Sequence, residues 1–515
     1  MSTKTIDFEL DLGGIGPFSL VSCHLVEGIS ELSFATLEIA SNEDLDFSTV
    51  LTGDAVVTLL VNHFEARRWT LKVGKVAFVG VDRGSLRYRV ELHPRLWLLR
   101  HTTATRKFRN MTGQAVVEKV FSEHAVSSSW SLTRDTEERN YCVQYRETAL
   151  DFVTRILEFE GIYYTFAEDG HILLGDRSSA SPPVDGESYF ELVDSRGAMS
   201  DGDFGIHELT RGAAVASGAA TLNDFNWKTP HDSLLQTKAA SENPDLEIYD
   251  YPSGYRDAGT GAMLAGLRLE ALRVPARFVE GTSTVYTFAP SRWFSFGGAV
   301  AGAHAGDYLL THVEHRHRNP AFQGGGEGNS YENTFHAIPV SVAFRPQWKQ
   351  SRPTIAGCHT VMVRGPVGEE IHTDKFGRFK AQFHWDREAK STDEDSRWVR
   401  MLQETATSMT LARVGWEMSV AYVDGDPDRP VGIARNINGV MTPTYGQPSK
   451  KTMMTVKTQT YPGGGGFNEL RLDDVAGAMT FDVRAERDMV GIVKNDKTER
   501  VGVNESHVVQ AAMLH

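Results

Sequence analysis

The stretch HTDKFGRFKAQFHWDRE, residues 372–388, alternates apolar and charged side chains. After a tight turn at 374–377, successive residues of an extended chain point to opposite faces. The stretch therefore predicts a β-hairpin with an aromatic face in a core and a charged face toward solvent or a partner. The predicted core face is Phe379, Ala381, Phe383 and Trp385, and the predicted charged face is Arg378, Lys380, Gln382, His384 and Asp386.

The same stretch contains residue types that occur in metal sites and in acid–base catalysis. A metal site needs three or four converging ligands with further groups that orient them. At most His372, His384 and Asp386 could meet, from adjacent strands. The alternation favours a structural role, so we expect these three residues to orient and join parts of the molecule.

Length and composition restrict the class of protein. The chain has 515 residues, a length that predicts about three to four domains. Its hydrophobic content of 41% is that of a globular protein. The formal net charge of −14 argues against a nucleic-acid partner, which would need a concentrated basic face. Three widely spaced cysteines, Cys23, Cys142 and Cys358, fit neither a disulfide framework nor zinc spacing.

The N-terminus has no basic-then-apolar signal segment, and no apolar run approaches the roughly 18 residues of a membrane span. We therefore expect synthesis in the cytoplasm and export, if any, by another route.

Short β-branched and aromatic runs predict strands over the first hundred residues, and helices are predicted within the stretches 111–125 and 145–164. In the second helix, Thr148 is a predicted N-cap with Asp151 in the capping-box position, and Gly161 a predicted C-terminal stop. Residues 178–243 are polar and are predicted to be loop-like. A domain boundary is predicted near 345–353, which is polar and punctuated by proline.

Other clusters of titratable residues also have structural interpretations. In THVEHRHR, His315 and His317 share a predicted strand face and His312 lies on the other, so the three cannot bind one metal. In VDGDPDRPVGIARN, residues 423–436, Asp428 and Arg429 are predicted to pair across an acidic turn. PGGGG at 462–466 lacks the Lys of a phosphate loop and is interpreted as a flexible joint. The sequence predicts no catalytic residue, metal or cofactor.

Valines recur every eight residues near the end of the chain, at Val493, Val501 and Val509, with Asn495 and Val503 two positions after the first two. A period of eight fits a β-solenoid better than a helix. One strand per octad cannot bury its apolar side alone, so the pattern predicts winding with copies of the same chain. That arrangement is a closed homo-oligomer, with the three valines at its contacts.

Several long segments together resemble one family, the VgrG (valine–glycine repeat) spike proteins of bacterial type VI secretion, which are related to contractile phage tail hubs. They occur in family order and span nearly the whole chain. The segments are YCVQYRETALDFVTRILEFEGIYYTF, ENTFHAIPVSVAFRP, VRGPVGEEIHTDKFGRFKAQFHWDRE, GDPDRPVGIARNIN, GGGGFNELRLDD and ERDMVGIVKNDKTERVG.

The resemblance implies a mainly β fold with a few short helices. Residues 1–350 would form a phage tail-hub-like region with two β-barrel units and inserted α/β segments. Residues 355–440 would form an OB-like barrel, and residues 441–515 a linker and the start of a triple-stranded β-helix. Family members usually carry a long stalk, so the three octads before His515 imply a truncated or unusually short one.

The resemblance also implies function. The protein would be a non-enzymatic homotrimeric spike that pierces a target envelope, with only transient membrane contact. It would assemble in the cytoplasm and be secreted without a signal peptide. Its implied partners are an Hcp-like tube protein, a PAAR-type tip protein, effectors and baseplate components.

Two alternatives remain open from the sequence. One is a phage, pyocin or other contractile device built on the same fold. The other is a spike with peptidoglycan-hydrolase activity, although the short interval between Asn438 and Gly463 leaves no room for an inserted hydrolase domain.

Overall fold

The computed structural model describes residues 5–193, 204–299, 301–319, 322, 330–404 and 408–510. The chain divides into two compact units. The first unit comprises residues 1–358 together with 385–388 and 421–431, and the second comprises 359–384, 389–420 and 432–515.

The structure is mainly β, as predicted, with a few short helices. The helices are α1 (Phe47–Val50), α2 (Gly113–Glu123), α3 (Ala149–Glu160) and α4 (Ala258–Arg273). The strands of the first unit are β1 (Ile6–Asp11), β2 (Ser19–Gly28), β3 (Phe34–Ser41), β4 (Asp54–Val61), β5 (Phe64–Asp82), β6 (Ser85–His93), β7 (Thr103–Phe108), β8 (Met111–Thr112), β9 (Ser128–Ser131), β10 (Glu138–Arg139), β11 (Cys142–Thr148), β12 (Tyr163–Phe166), β13 (Ile172–Gly175), β14 (Tyr189–Glu191), β15 (Ile206–Ala213), β16 (Ala219–Leu222), β17 (Gln236–Ala239), β18 (Glu247–Asp250), β19 (Arg277–Ser283), β20 (Trp293–Gly297), β21 (Gly306–Arg318) and β22 (Ser330–Pro339). Strands β23 (His359–Arg364), β24 (Phe379–Phe383), β25 (Arg397–Met401), β26 (Glu417–Tyr422), β27 (Pro430–Asn436), β28 (Met453–Lys457), β29 (Glu469–Asp473) and β30 (Thr480–Arg484) follow.

A twelve-stranded sheet dominates the first unit, in the order β1-β4-β5-β6-β3-β2-β21-β22-β19-β15, with β20 beside β21 and β14 beside β20. Its strands alternate as the sequence predicts: in β6, Tyr88, Val90 and Leu92 are fully buried. Two separate hydrophobic cores lie on this sheet. One is formed mainly by β1–β6, and the other by aromatic residues of β20–β22 and their connections, including Phe288, Phe294, Phe335 and Tyr308.

The helical segment of the first unit confirms the predicted caps. The Thr148 hydroxyl oxygen accepts a hydrogen bond from the Asp151 backbone N–H (3.0 Å) and begins α3. Gly161 ends the helix in the left-handed conformation, with φ +65°. The apolar sides of α2 and α3 share a core, so these helices are held by packing as well as by their caps.

Residues 178–243 contain more regular structure than the predicted loop. Within the described part, β15 pairs with β19, and β16 lies between β17 and β18. The prediction was wrong because these strands are short and because β15, β17 and β18 are largely solvent-exposed, which gives them a polar composition.

The second unit contains a closed five-stranded barrel in the order β23-β24-β25-β27-β26, which confirms the predicted OB-like barrel. Phe379, Ala381 and Phe383 of β24 are buried, as their alternation predicts. Gly432 faces the Phe379 ring, where an added Cβ would lie only 2.5 Å from Cε1. A side chain at this position would therefore collide with the barrel core.

A buried polar network crosses the interior of the first unit. Glu27 of β2 accepts hydrogen bonds from the Arg67 guanidinium (2.7 Å) and the Trp69 indole (3.0 Å), both on β5. Its carboxylate also contacts the His315 Nε2 at 3.0 Å, and the His315 Nδ1 lies 2.7 Å from the Tyr331 hydroxyl. Because β5 is not a sheet neighbour of β2 or β21, these bonds tie the curled sheet together across its core.

The electrostatics of this network favour a charged carboxylate. Burial alone would raise the pKa of Glu27, but Arg67, His315 and Trp69 together lower that pKa to about 2. Burial also lowers the pKa of His315. Glu27 thus acts as the anion that compensates a buried guanidinium.

We predict that Glu27→Ala lowers the free energy of unfolding by about 3–5 kcal/mol, because it leaves Arg67 buried without its carboxylate. Glu65→Ala is the control. It removes an exposed ion pair with Arg68 and should cost at most about 1 kcal/mol. The contribution of Glu27 should be complete above its unfolded pKa of 4.5 and decline as pH falls from there toward 2. Denaturant titrations from pH 7 to pH 3 measure both effects, and equal losses in the two variants would contradict this role.

Candidate assembly interface

The last regular element of the chain is an antiparallel sheet with one apolar face. In β28, β29 and β30, the register places Met454 opposite Leu472 and Val456 opposite Leu470, and then Leu470 opposite Val483. Opposed residues share a face of an antiparallel pair. The apolar face is therefore a continuous two-by-three patch made of Met454, Val456, Leu470, Leu472, Phe481 and Val483.

The apolar patch is open to solvent in a single chain. Phe481 is 66% exposed, Met454 67% and Val456 61%. Soluble monomers rarely leave contiguous apolar surface of this kind uncovered, and such patches mark interaction sites. The patch is the functional feature that sequence reasoning missed. The alternation in MMTVK, ELRLD and TFDVR, of the kind used for residues 378–386, would have found it.

The opposite face of the same sheet is polar, and its side chains form hydrogen bonds within the chain. The Tyr445 hydroxyl donates to Glu469 Oε1 (2.6 Å), and Thr455 donates to the same oxygen (2.7 Å). Arg471 bonds Asp482 across the strands at 2.7 Å. Because this face has its partners within the chain, only the apolar face still lacks one.

The glycine-rich run at 462–466 is the tip of the hairpin between β28 and β29. Thr460 N–H bonds the Gly466 carbonyl at 2.9 Å, which extends the pairing beyond the strands. Gly463, Gly464 and Gly465 adopt φ values of 55°, 103° and 75°, which favour glycine. Gly463 N–H also donates to Glu370 Oε1 (2.8 Å). The run is thus a hydrogen-bonded turn, where the sequence predicted a flexible joint.

The octad valines lie in the segment after β30. Between 485 and 510, all of it described, the chain has no strand or helix. Val493 is 56% exposed, Val501 46% and Val509 50%. One copy of the chain leaves these apolar side chains in water, and their place at a contact between copies stays a prediction.

The hairpin at 372–388 has the predicted turn, in which Asp374 accepts from the backbone N–H groups of Phe376 (3.0 Å) and Arg378 (3.1 Å). His372 lies against the Trp398 ring, with centroids 5.0 Å apart. His384 is exposed, as predicted.

Asp386 joins two segments of the chain, which is the role predicted for it. This residue is buried and forms an ion pair with Lys107 in the first unit. Strand β24 ends at Phe383, so Asp386 lies beyond the part of the hairpin that alternates as a strand.

The residues of the remaining titratable clusters are either buried or paired with other residues of the chain. His315 and His317 are buried together and His312 is not, as their alternation predicts. The ion-pair partners of Arg429 are Asp224 (2.5 Å) and Asp426 (3.2 Å), while Asp428 accepts from the Val143 N–H at 2.8 Å.

Among the described residues, no three His, Cys, Asp or Glu side chains converge on a possible metal position. No helix in the described ranges is long and apolar enough to span a membrane.

Two family models match separate parts of the chain. Residues 26–321 match the family described as "Phage tail baseplate hub (GPD)". Residues 454–514 match the "Bacteriophage T4 gp5 C-terminal trimerisation domain", which includes the apolar patch and all three octad valines.

The chain is 32% identical to the type VI secretion system spike protein VgrG1b of Pseudomonas aeruginosa, over 98% of this chain and 70% of that protein. It is 33% identical to VgrG1a of the same organism, over 81% of this chain and 67% of that protein. It also shares its fold with the E. coli c3393 protein, a type VI component similar to T4 tail proteins gp27 and gp5. That match has 22% identity and a TM-score of 0.60, and it covers 83% of this chain and 99% of that one.

The chain therefore belongs to the VgrG family of type VI secretion spike proteins. Its fold is that of a phage tail hub followed by a closed barrel and a trimerisation segment.

We predict that Asp386→Ala destabilises the first unit by about 3–5 kcal/mol, because it removes the buried carboxylate that forms an ion pair with the largely buried Lys107 ammonium. Glu388→Ala, at an exposed position of the same segment, is the control and should change stability by less than about 0.5 kcal/mol. Thermal and denaturant unfolding measure the difference. If Asp386→Ala is as stable as the control, Asp386 does not hold this segment in place.

Proposed function

We propose that the chain works as a homotrimeric, non-enzymatic spike whose three copies join through the apolar patch of β28–β30 and the octad valines. The observation that carries this proposal is the one-sided sheet: the polar face has its hydrogen-bond partners within the chain, and the apolar face is exposed. The match of residues 454–514 to a trimerisation domain supports three copies.

In a trimer, the other two copies would bury the apolar side chains that a single copy leaves exposed. Burying a large apolar side chain contributes about 1.5–3 kcal/mol, and each copy offers six such residues on the patch. The octads would continue the contact, with Val493, Val501 and Val509 facing the shared axis. Each strand of the stalk would then find its neighbours in the other two copies.

The proposed mechanism is mechanical and involves no chemical turnover. Sheath contraction would drive the trimer through a target envelope, with transient membrane contact only. Support comes from the relatives, which are named as spike proteins, and from the structural partners found for His315 and Asp386. Peptidoglycan incubated with the trimer should release no soluble fragments, and clear release would contradict the non-enzymatic assignment.

The proposed partners follow from symmetry. Two hydrophobic cores on one sheet give each chain two comparable β-units, so that a trimer would present six. Such a ring would match a six-fold tube of Hcp-like protein. The far end of the stalk would carry a PAAR-type tip protein and effectors, and baseplate components would surround the hub. Assembly would occur in the cytoplasm, with secretion by contraction and without a signal peptide.

The proposed domain organisation is residues 1–350 for the hub with two β-barrel units, 355–440 for the OB-like barrel, and 441–515 for the linker and stalk. The change of compact unit at 358/359 and the gap between β27 and β28 support these boundaries. The similarity to type VI spike proteins does not favour a phage, pyocin or hydrolase alternative.

We predict that Phe481→Lys shifts the chain from trimer to monomer, because three lysines would have to be buried in the shared apolar contact. Thr480→Lys is the matched control, since it adds the same charge one residue away on the opposite face of β30. Light scattering coupled to size-exclusion chromatography gives the mass of each variant. Equal masses for the two variants would show that the apolar patch is not the contact.

We also predict that replacing Val493, Val501 and Val509 together by threonine weakens the trimer and leaves the monomer fold intact. Threonine keeps the side-chain shape but brings a hydroxyl into the contact. Replacing the exposed Val367 by threonine is the control. The dissociation constant from sedimentation equilibrium should rise at least tenfold for the triple variant only, and an unchanged constant would remove these valines from the interface.

A further inference from the structure

Four His and Glu residues form a row across neighbouring strands of the first unit. His312 of β21 lies directly opposite His336 of β22, and His336 lies opposite Glu280 of β19. On the other side, the His312 Nδ1 is 2.9 Å from Glu31 Oε2, just beyond the end of β2. The row Glu31–His312–His336–Glu280 therefore places two imidazoles between two carboxylates.

The two rings are close enough to bind one ion. Their centroids are 5.5 Å apart and their planes are inclined by 73°. An imidazole nitrogen bonds zinc at about 2.0–2.1 Å, so two rings on one ion have centroids at most about 6.5 Å apart. The register shift between Leu310 and His312 is a bulge beside the pair, a feature that re-aims side chains.

For His312, the Glu31 carboxylate sets the tautomer that metal binding requires. Glu31 accepts the Nδ1 proton of His312, and the His336 Nδ1 faces Glu280 Oε1 at 3.8 Å. Within the described ranges, neither Nε2 has a hydrogen-bond partner. A carboxylate on one ring nitrogen, with the other left for the ion, is the usual arrangement around metal-binding histidines.

The pair opens onto a cavity of about 440 Å³, whose lining includes Glu31, His312 and His336. The other charged residues of its lining are Glu158, Arg345 and Lys349. Arg345 is neutralised by Glu270 at 2.7 Å. Lys349 is then opposed by two carboxylates of the lining, those of Glu31 and Glu158, so the lining carries a net negative charge.

We propose that His312 and His336 bind a divalent transition-metal ion, of the class of Zn²⁺, Ni²⁺ or Cu²⁺, through their Nε2 atoms. Imidazole nitrogen suits these ions better than Mg²⁺ or Ca²⁺. The protein supplies two ligands, fewer than the three or four of a closed structural site, because no third His, Cys, Asp or Glu converges there among the described residues. The proposed site is therefore an open one, in which water completes the coordination. The ion would cross-link β21 and β22 at the edge of the cavity. This site is independent of the proposed trimer.

Isothermal titration of ZnCl₂ into the metal-free, tag-free chain tests the site. One Zn²⁺ per chain should bind, and His312→Asn or His336→Asn should each weaken binding at least tenfold. Glu31→Gln, which leaves both ligands in place, should weaken binding by about tenfold or more. His63→Asn, at the exposed β4–β5 turn, is the control and should bind as the unmodified chain does.

Electron paramagnetic resonance of the Cu²⁺-loaded, unmodified chain gives a second result that does not depend on any variant folding. The spectrum should show coupling to two imidazole nitrogens. Absence of Zn²⁺ binding, an affinity unchanged in the His312→Asn/His336→Asn double variant, or a copper spectrum without imidazole coupling would each overturn the proposal.

Discussion

A single copy of this chain leaves the apolar face of a β-sheet exposed to solvent. The need to bury that face is the constraint on which the organisation of the C-terminal part depends. The three-stranded sheet β28–β30 has a polar face covered by Tyr445 and an apolar face in water. The octad segment beyond it has no regular structure of its own in the described residues. Apolar burial is the main favourable term in protein association, so copies of the chain are the natural cover for both.

The first unit is organised by a different constraint, a buried charge that must be compensated. Glu27 holds Arg67 and Trp69 of β5 against His315 of β21, and these strands are separated in the sheet order. A buried ion pair of this kind adds little net stability over an apolar contact, but removing one partner is costly. The network therefore holds β5 against β2 and β21 across the core of the first unit.

Much of the fold could be predicted from local sequence. The caps Thr148 and Gly161, the buried face of β6 and the turn at Asp374 all follow from side-chain types and spacing over a few residues. Non-local contacts could not be predicted. The alternation placed Asp386 on a face toward solvent or a partner, but it could not identify that partner as Lys107, which is 279 residues away in sequence. Strands β15 and β17 were missed because exposed strand faces have a polar composition like that of loops.

The candidate interface was only half predictable. The valine octads suggested self-association, whereas the patch on β28–β30 became evident only when the strand register brought Leu470 beside Val456 and Val483. The most direct test is the solution mass of the unmodified chain, measured by sedimentation across a wide concentration range. The account predicts a species of three times the 57.0 kDa chain mass. A single species of 57.0 kDa at every concentration would contradict it.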